Sequence, residues 1–104
     1  MLPVDYLPAA RCNFEESFDW YAQRSTQAAV HFVNAVDAAL SMIAAYPRRF
    51  AVVDDCHREC PVKRFPFRIV YRVAAGRVIV VAIAHAKRRP GYWKNRSPLG
   101  ESIW

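Results

Sequence analysis

The chain has 104 residues, of which 54% are hydrophobic, and a net charge of +6. That length supports one domain with one core, and the apolar content excludes a disordered chain. The longest strictly apolar run, Val78 to Ala84, falls far short of the ~20 residues of a membrane-spanning helix.

The opening stretch MLPVDYLPAARC lacks the basic-then-apolar order of a signal peptide. Three cysteines (Cys12, Cys56, Cys60) are an odd number, which fits a reducing compartment better than a disulfide framework. A single cytoplasmic domain over residues 1–104 is therefore expected.

Along the chain, VDYL (Val4–Leu7) reads as a short strand closed by Pro8. In NFEESFDWYAQ, Phe14, Phe18 and Tyr21 share one helical face. Asn13 followed by Glu16 resembles a capping box, and Pro8 offers an earlier start. RST interrupts the pattern, and Ser25 or Thr26 can cap a second helix. QAAVHFVNAVDAALSMIAAY carries the stripe Phe32, Val36, Leu40 and Ile43 in an Ala-rich background that favours helix. Tyr46-Pro47 ends it. So short a break between two helices predicts an antiparallel hairpin.

The period then changes. ECPVKRF is a plain strand candidate. FRIVYRV alternates, with Phe67, Ile69, Tyr71 and Val73 on one face and Arg68, Val70 and Arg72 on the other. AAGR is a hairpin connection with Gly76 free to take positive φ. VIVVAIA is apolar on both faces and should be a strand covered on both sides. The order β-α-α-β-β-β gives an α+β fold, a helix hairpin on one face of a small, mainly antiparallel sheet.

Charge is unevenly distributed. Residues 1–56 hold four basic and seven acidic side chains, whereas residues 57–96 hold eleven basic side chains and one acid, Glu59. The second part, near +10, predicts a polyanionic partner: nucleic acid, a nucleoprotein machine or an acidic protein segment. Its densest part, HAKRRPGYWKNR, follows the apolar strand directly. A regular hairpin would bring Arg68 close to His85 and Arg88, with Lys63 and Arg64 arriving from the preceding strand. Such a surface suits cations on phosphates and Tyr92 and Trp93 on bases, unless those two rings fold back onto the core. No metal or cofactor is expected: Cys56, His57 and Cys60 of CHREC could in principle form a zinc site completed by His85, but the C-x₃-C spacing lies off the usual zinc pattern and has no second pair.

Phe65–Trp93, with KRFPFRIVYRV and GRVIVVAIAHAKRRPGYW, resembles the C-terminal half of the RelE/ParE toxin superfamily. The strand, helix-hairpin and three-strand order is similar throughout. The resemblance implies a small basic toxin of a bacterial type II toxin–antitoxin system. Its partner would be a cognate acidic antitoxin, in a toxin–antitoxin hetero-oligomer. It also implies one of two targets. ParE-like members poison DNA gyrase, and the firm helix hairpin is similar to that side. RelE-like members cleave mRNA on the ribosome; Arg68, Arg88 and His85 would then be the catalytic group, with Glu59 as the candidate strand base. A degenerate member that only binds its antitoxin and regulates the operon is the remaining alternative. The target- or antitoxin-binding residues would be Lys63, Arg64, Arg68, Arg72, Lys87, Arg88, Arg89, Tyr92 and Trp93.

Overall fold

A proline at the first helical position fixes where the first helix begins. The computed structural model, which describes residues 1–94 and Arg96, starts with strand β1 (Val4–Tyr6), after which α1 runs from Pro8 to Arg24. Leu7 is its N-cap and makes no side-chain capping bond. The fixed φ of Pro8 and its missing N–H suit the first turn, so the capping box expected at Asn13 and Glu16 does not form. Asn13 lies inside α1 instead. Its Oδ1 accepts from the Ile83 amide at 3.4 Å and from Arg96 Nη1 at 2.9 Å.

Ser25 breaks the helix and caps the next one, its Oγ accepting from the Ala28 amide at 3.2 Å. α2 spans Thr26–Ala45. It has the length and hydropathy of a membrane span, yet Phe32, Val36 and Ile43 are fully buried here in one cluster with Ile69, Tyr71 and Val80. Tyr71 also ties the sheet to the end of α2, its hydroxyl donating to the Pro47 carbonyl.

Four strands follow: β2 (Ala51–Val52), β3 (Arg58–Pro61), β4 (Phe67–Ala74) and β5 (Arg77–His85). The sheet order is β1-β5-β4-β3-β2, with β1 parallel to β5 and the other pairs antiparallel. This is the expected α+β architecture with one strand more. β2 carries no sequence pattern because it is two residues held only by pairing with β3. β3 is also shorter than ECPVKRF suggested. Pro61 pairs with Arg68 and the Val62 amide still donates to the Phe67 carbonyl at 3.0 Å, but Phe65 N–H then donates to the Val62 carbonyl in a turn where Arg64 takes φ 72°. Lys63 and Arg64 therefore sit on a loop.

The β4–β5 turn places both Ala75 (φ 53°) and Gly76 (φ 71°) in the left-handed region, as a two-residue hairpin loop requires. Further along, Val70 faces Ala82 and Tyr71 faces Val80, so Val81 is an extra residue in β5. The free edge of this bulge is satisfied from outside the sheet. Arg96 Nη1 donates to the Val81 carbonyl at 2.8 Å, beside the Asn13 contact. The chain after β5 thus folds back across the molecule. Trp93 is 4% exposed, with its ring 4.7 Å from that of His57. Val70 and Ala82, on the face away from the helices, are buried as well.

Candidate functional site

Period-two alternation decides which of the basic side chains meet. His85 pairs directly with Phe67, and Arg68 pairs with Ala84. Directly paired residues share a face and sequence neighbours do not, so Arg68 and His85 lie on opposite faces of the sheet. The His85 ring stands edge-on to Phe67 at 5.0 Å. It lines a cleft of about 430 Å³ with Ser17, Trp20 and Tyr21 of α1. Its Nδ1 accepts from the Lys87 amide at 3.0 Å, which leaves the proton on Nε2. Arg68 is on the open face, paired to Glu59 at 2.9 Å. The expected meeting of Arg68 with His85 does not occur. The hairpin register is in phase with Phe67, one residue away from what that meeting requires.

The loop beyond β5 organises its cations around one ring. The Arg88 guanidinium lies 4.0 Å above Tyr92 and that of Arg96 lies 5.2 Å from it. The Arg88 amide donates to the His85 carbonyl at 3.0 Å. Lys87 and Arg89 are exposed. Of the two readings of Trp93, the structure has the ring folded back onto the core cluster, 4% exposed. Tyr92 is half-buried under its two guanidiniums.

Lys63 and Arg64 border a groove of about 750 Å³ between α2 and the β3–β4 loop. Ala35, Ala39, Met42, Phe50 and Phe65 give it an apolar floor, and the cationic or titratable rim is His31, Arg49, Lys63 and Arg64. Among the described residues, no carboxylate lines it.

Arg72 is half-buried and lines a cleft at the β2–β3 turn together with Arg48 and Arg58. There Asp54 accepts from His57 Nδ1 at 2.9 Å and from the amides of Cys56 and His57 at 2.8 and 2.9 Å. Burial would push the Asp54 carboxyl up, but these hydrogen bonds outweigh it and hold the group below the usual carboxylate value. The Asp54–His57 unit escaped the sequence reading, which weighed His57 only beside the cysteines. The one signal available was a turn-forming Asp three residues before a His. Cys56 is exposed and Cys60 buried, where desolvation pushes its thiol up. The two therefore face different surroundings.

Comparison with known proteins gives the same architecture. The family model described as ParE toxin of type II toxin-antitoxin system, parDE, matches residues 4–90. A solved structure described as the chromosomal ParDE TA system from P. aeruginosa superposes with a TM-score of 0.70. It is 16% identical, and the alignment covers 82% of this chain and 96% of that one. No curated protein sequence matches.

Proposed function

The chain belongs to the ParE toxin family of type II toxin–antitoxin systems, and from that premise we propose that it inhibits DNA gyrase and is neutralised by a cognate acidic antitoxin in the bacterial cytoplasm. The observation that carries the target is the separation of Arg68 from His85. Metal-free RNA cleavage needs a base, an acid and cations gathered at one phosphate. Here Arg68 is tied to Glu59 on the open face, while His85 looks into the cleft beside α1. Gyrase poisoning asks only for a binding surface, and the exposed loop Lys87–Arg89 supplies one. The Glu59–Arg68 pair is the feature that favours the mRNA-cleaving alternative, since it sets a carboxylate beside a guanidinium at 2.9 Å.

One experiment separates the readings. The purified chain is incubated with gyrase and supercoiled DNA, and in parallel with translating ribosomes. Trapped, cleaved DNA with intact mRNA is expected. His85→Gln should leave that outcome in place, because at most one hydrogen bond of about 1 kcal/mol is altered. Arg88→Ala should attenuate it. Loss of a proton-transfer group would cost roughly 10²–10⁴-fold. Cleaved mRNA that disappears with His85→Gln would therefore move the protein to the nuclease branch. Inactivity in both assays would identify a non-toxic, antitoxin-binding member.

The groove under α2 suits the antitoxin. Its apolar floor and its rim of His31, Arg49, Lys63 and Arg64 complement an amphipathic segment carrying several Asp or Glu. Reversing both Lys63 and Arg64 to Glu should weaken the complex on the order of tenfold, since each exposed ion pair is worth about 0.2–1 kcal/mol. Salt should weaken the wild-type complex only in part, because the apolar contact is not screened. An affinity that stays flat from low to high salt would count against this docking.

A further inference from the structure

The cleft at the β2–β3 turn has a volume of about 660 Å³ and, among the described residues, shares no lining residue with the α2 groove or the His85 cleft. Among the described residues, two buried side-chain polar atoms lack a hydrogen-bond partner: His57 Nε2 and Arg72 Nη2. Both residues line this one cleft. A buried polar atom without a partner is costly and normally has an explanation in a ligand, an ion or a function.

The chemistry of the lining narrows the ligand. His57 is 7% exposed, and its Nδ1 is committed to Asp54 at 2.9 Å. That contact keeps a proton on Nδ1. Nε2 then accepts if the ring is neutral and donates if it is charged. Arg48, Arg58 and Arg72 bring three guanidiniums to the cleft. Arg58 uses one Nη1 bond on the Phe50 carbonyl, and the Tyr71 hydroxyl is committed to Pro47. Of the two carboxylates in the lining, Asp54 is engaged by the His57 ring and two amides, and Asp55 is exposed. Beyond the cleft, Trp93 packs on the same imidazole from the C-terminal segment. The cations outnumber the anions, and the atoms without partners are a guanidinium donor and an imidazole nitrogen that can donate.

We propose that this cleft is a binding site for a phosphoryl oxyanion, held by the guanidiniums of Arg72, Arg58 and Arg48 beside the His57 imidazole. A phosphoryl group offers three strong acceptor oxygens in different directions. A planar carboxylate offers two, best matched by a single guanidinium fork. The site stands independently of the gyrase reading, since it uses neither the Lys87–Arg89 loop nor the α2 groove.

The test is a titration of the full chain, labelled with ¹⁵N at histidine, followed by NMR of the His57 side chain. Sulfate is the probe, because its charge does not change across the range where histidine titrates. A saturable shift of the Nε2 resonance at low-millimolar sulfate is expected. Arg72→Met should remove the saturable response, and His57→Gln should leave weakened binding, followed by the amide resonances of the turn. Inorganic phosphate and a short single-stranded oligothymidylate then identify the source. Displacement of sulfate by phosphate alone assigns free phosphate, and displacement by the oligonucleotide assigns a nucleic-acid backbone. No saturable shift in the wild type would overturn the proposal, as would an undiminished one in Arg72→Met. An equal response to acetate would make the cleft a carboxylate site and overturn it too.

Discussion

Val36→Asp should unfold the protein. Val36 is fully buried on α2 (Thr26–Ala45), in one cluster with Phe32, Ile43 and the central strands. A carboxylate there would be unpaired and cut off from water, or would have to stay protonated at neutral pH. Either way the cost is on the order of several kcal/mol. A domain of this size has only about 5–15 kcal/mol in total. The same substitution at Val30, on α2 but 49% exposed, should change stability by less than about 0.5 kcal/mol. Urea denaturation followed by circular dichroism compares the two. A Val36→Asp variant that stays soluble and melts cooperatively would mean that the sheet covers a different face of α2.

The stripe behind this prediction was legible because helical periodicity is local. Phe32, Val36 and Ile43 recur at helical spacing whatever the sheet does, and Ser25 caps α2 with its own side chain. The inner face of β4 was legible in the same way for Phe67, Ile69 and Tyr71. What the pattern could not give depended on partners distant in sequence. Val70 sits on the nominally polar face of β4 and is still buried, because the chain after β5 returns over that face with Trp93. β2 exists only through its pairing with β3. Asn13 has the residue type of a cap, yet Pro8 starts the helix and Asn13 is left to serve the bulge at Val81.

The candidate site divides along the same line. That residues 57–96 form a basic surface follows from counting. Which cations share a face depends on the β4–β5 register, and a step of one residue carries a side chain to the other side of the sheet. His85 faces Phe67, so the arrangement that looked like one cluster in sequence becomes two, with Arg68 and Glu59 on one face and His85 with Trp20 on the other. The Asp54–His57 turn was hidden for a different reason. Its significance comes from Arg72, which approaches from another strand.

Trp93→Ala should lower stability by about 3–5 kcal/mol, as expected for truncating a large buried ring. A surface aromatic waiting for a nucleic-acid base or a protein target would behave otherwise: its removal would cost little stability and much affinity. Trp93 is 4% exposed and packs on His57, so the structural role dominates. The change should also loosen the segment from Ala86 to Lys94. Two anchors would remain, Tyr92 between Arg88 and Arg96, and Arg96 on Asn13 and the Val81 carbonyl. Trp93→Phe keeps much of the apolar contact and should recover at least half of the loss. Denaturant midpoints for the three proteins provide the measurement, with gyrase inhibition recorded under conditions where each is folded. An unchanged midpoint for Trp93→Ala, with inhibition lost, would place the indole on the target-binding surface and return Trp93 to the role its neighbours in HAKRRPGYWKNR suggest.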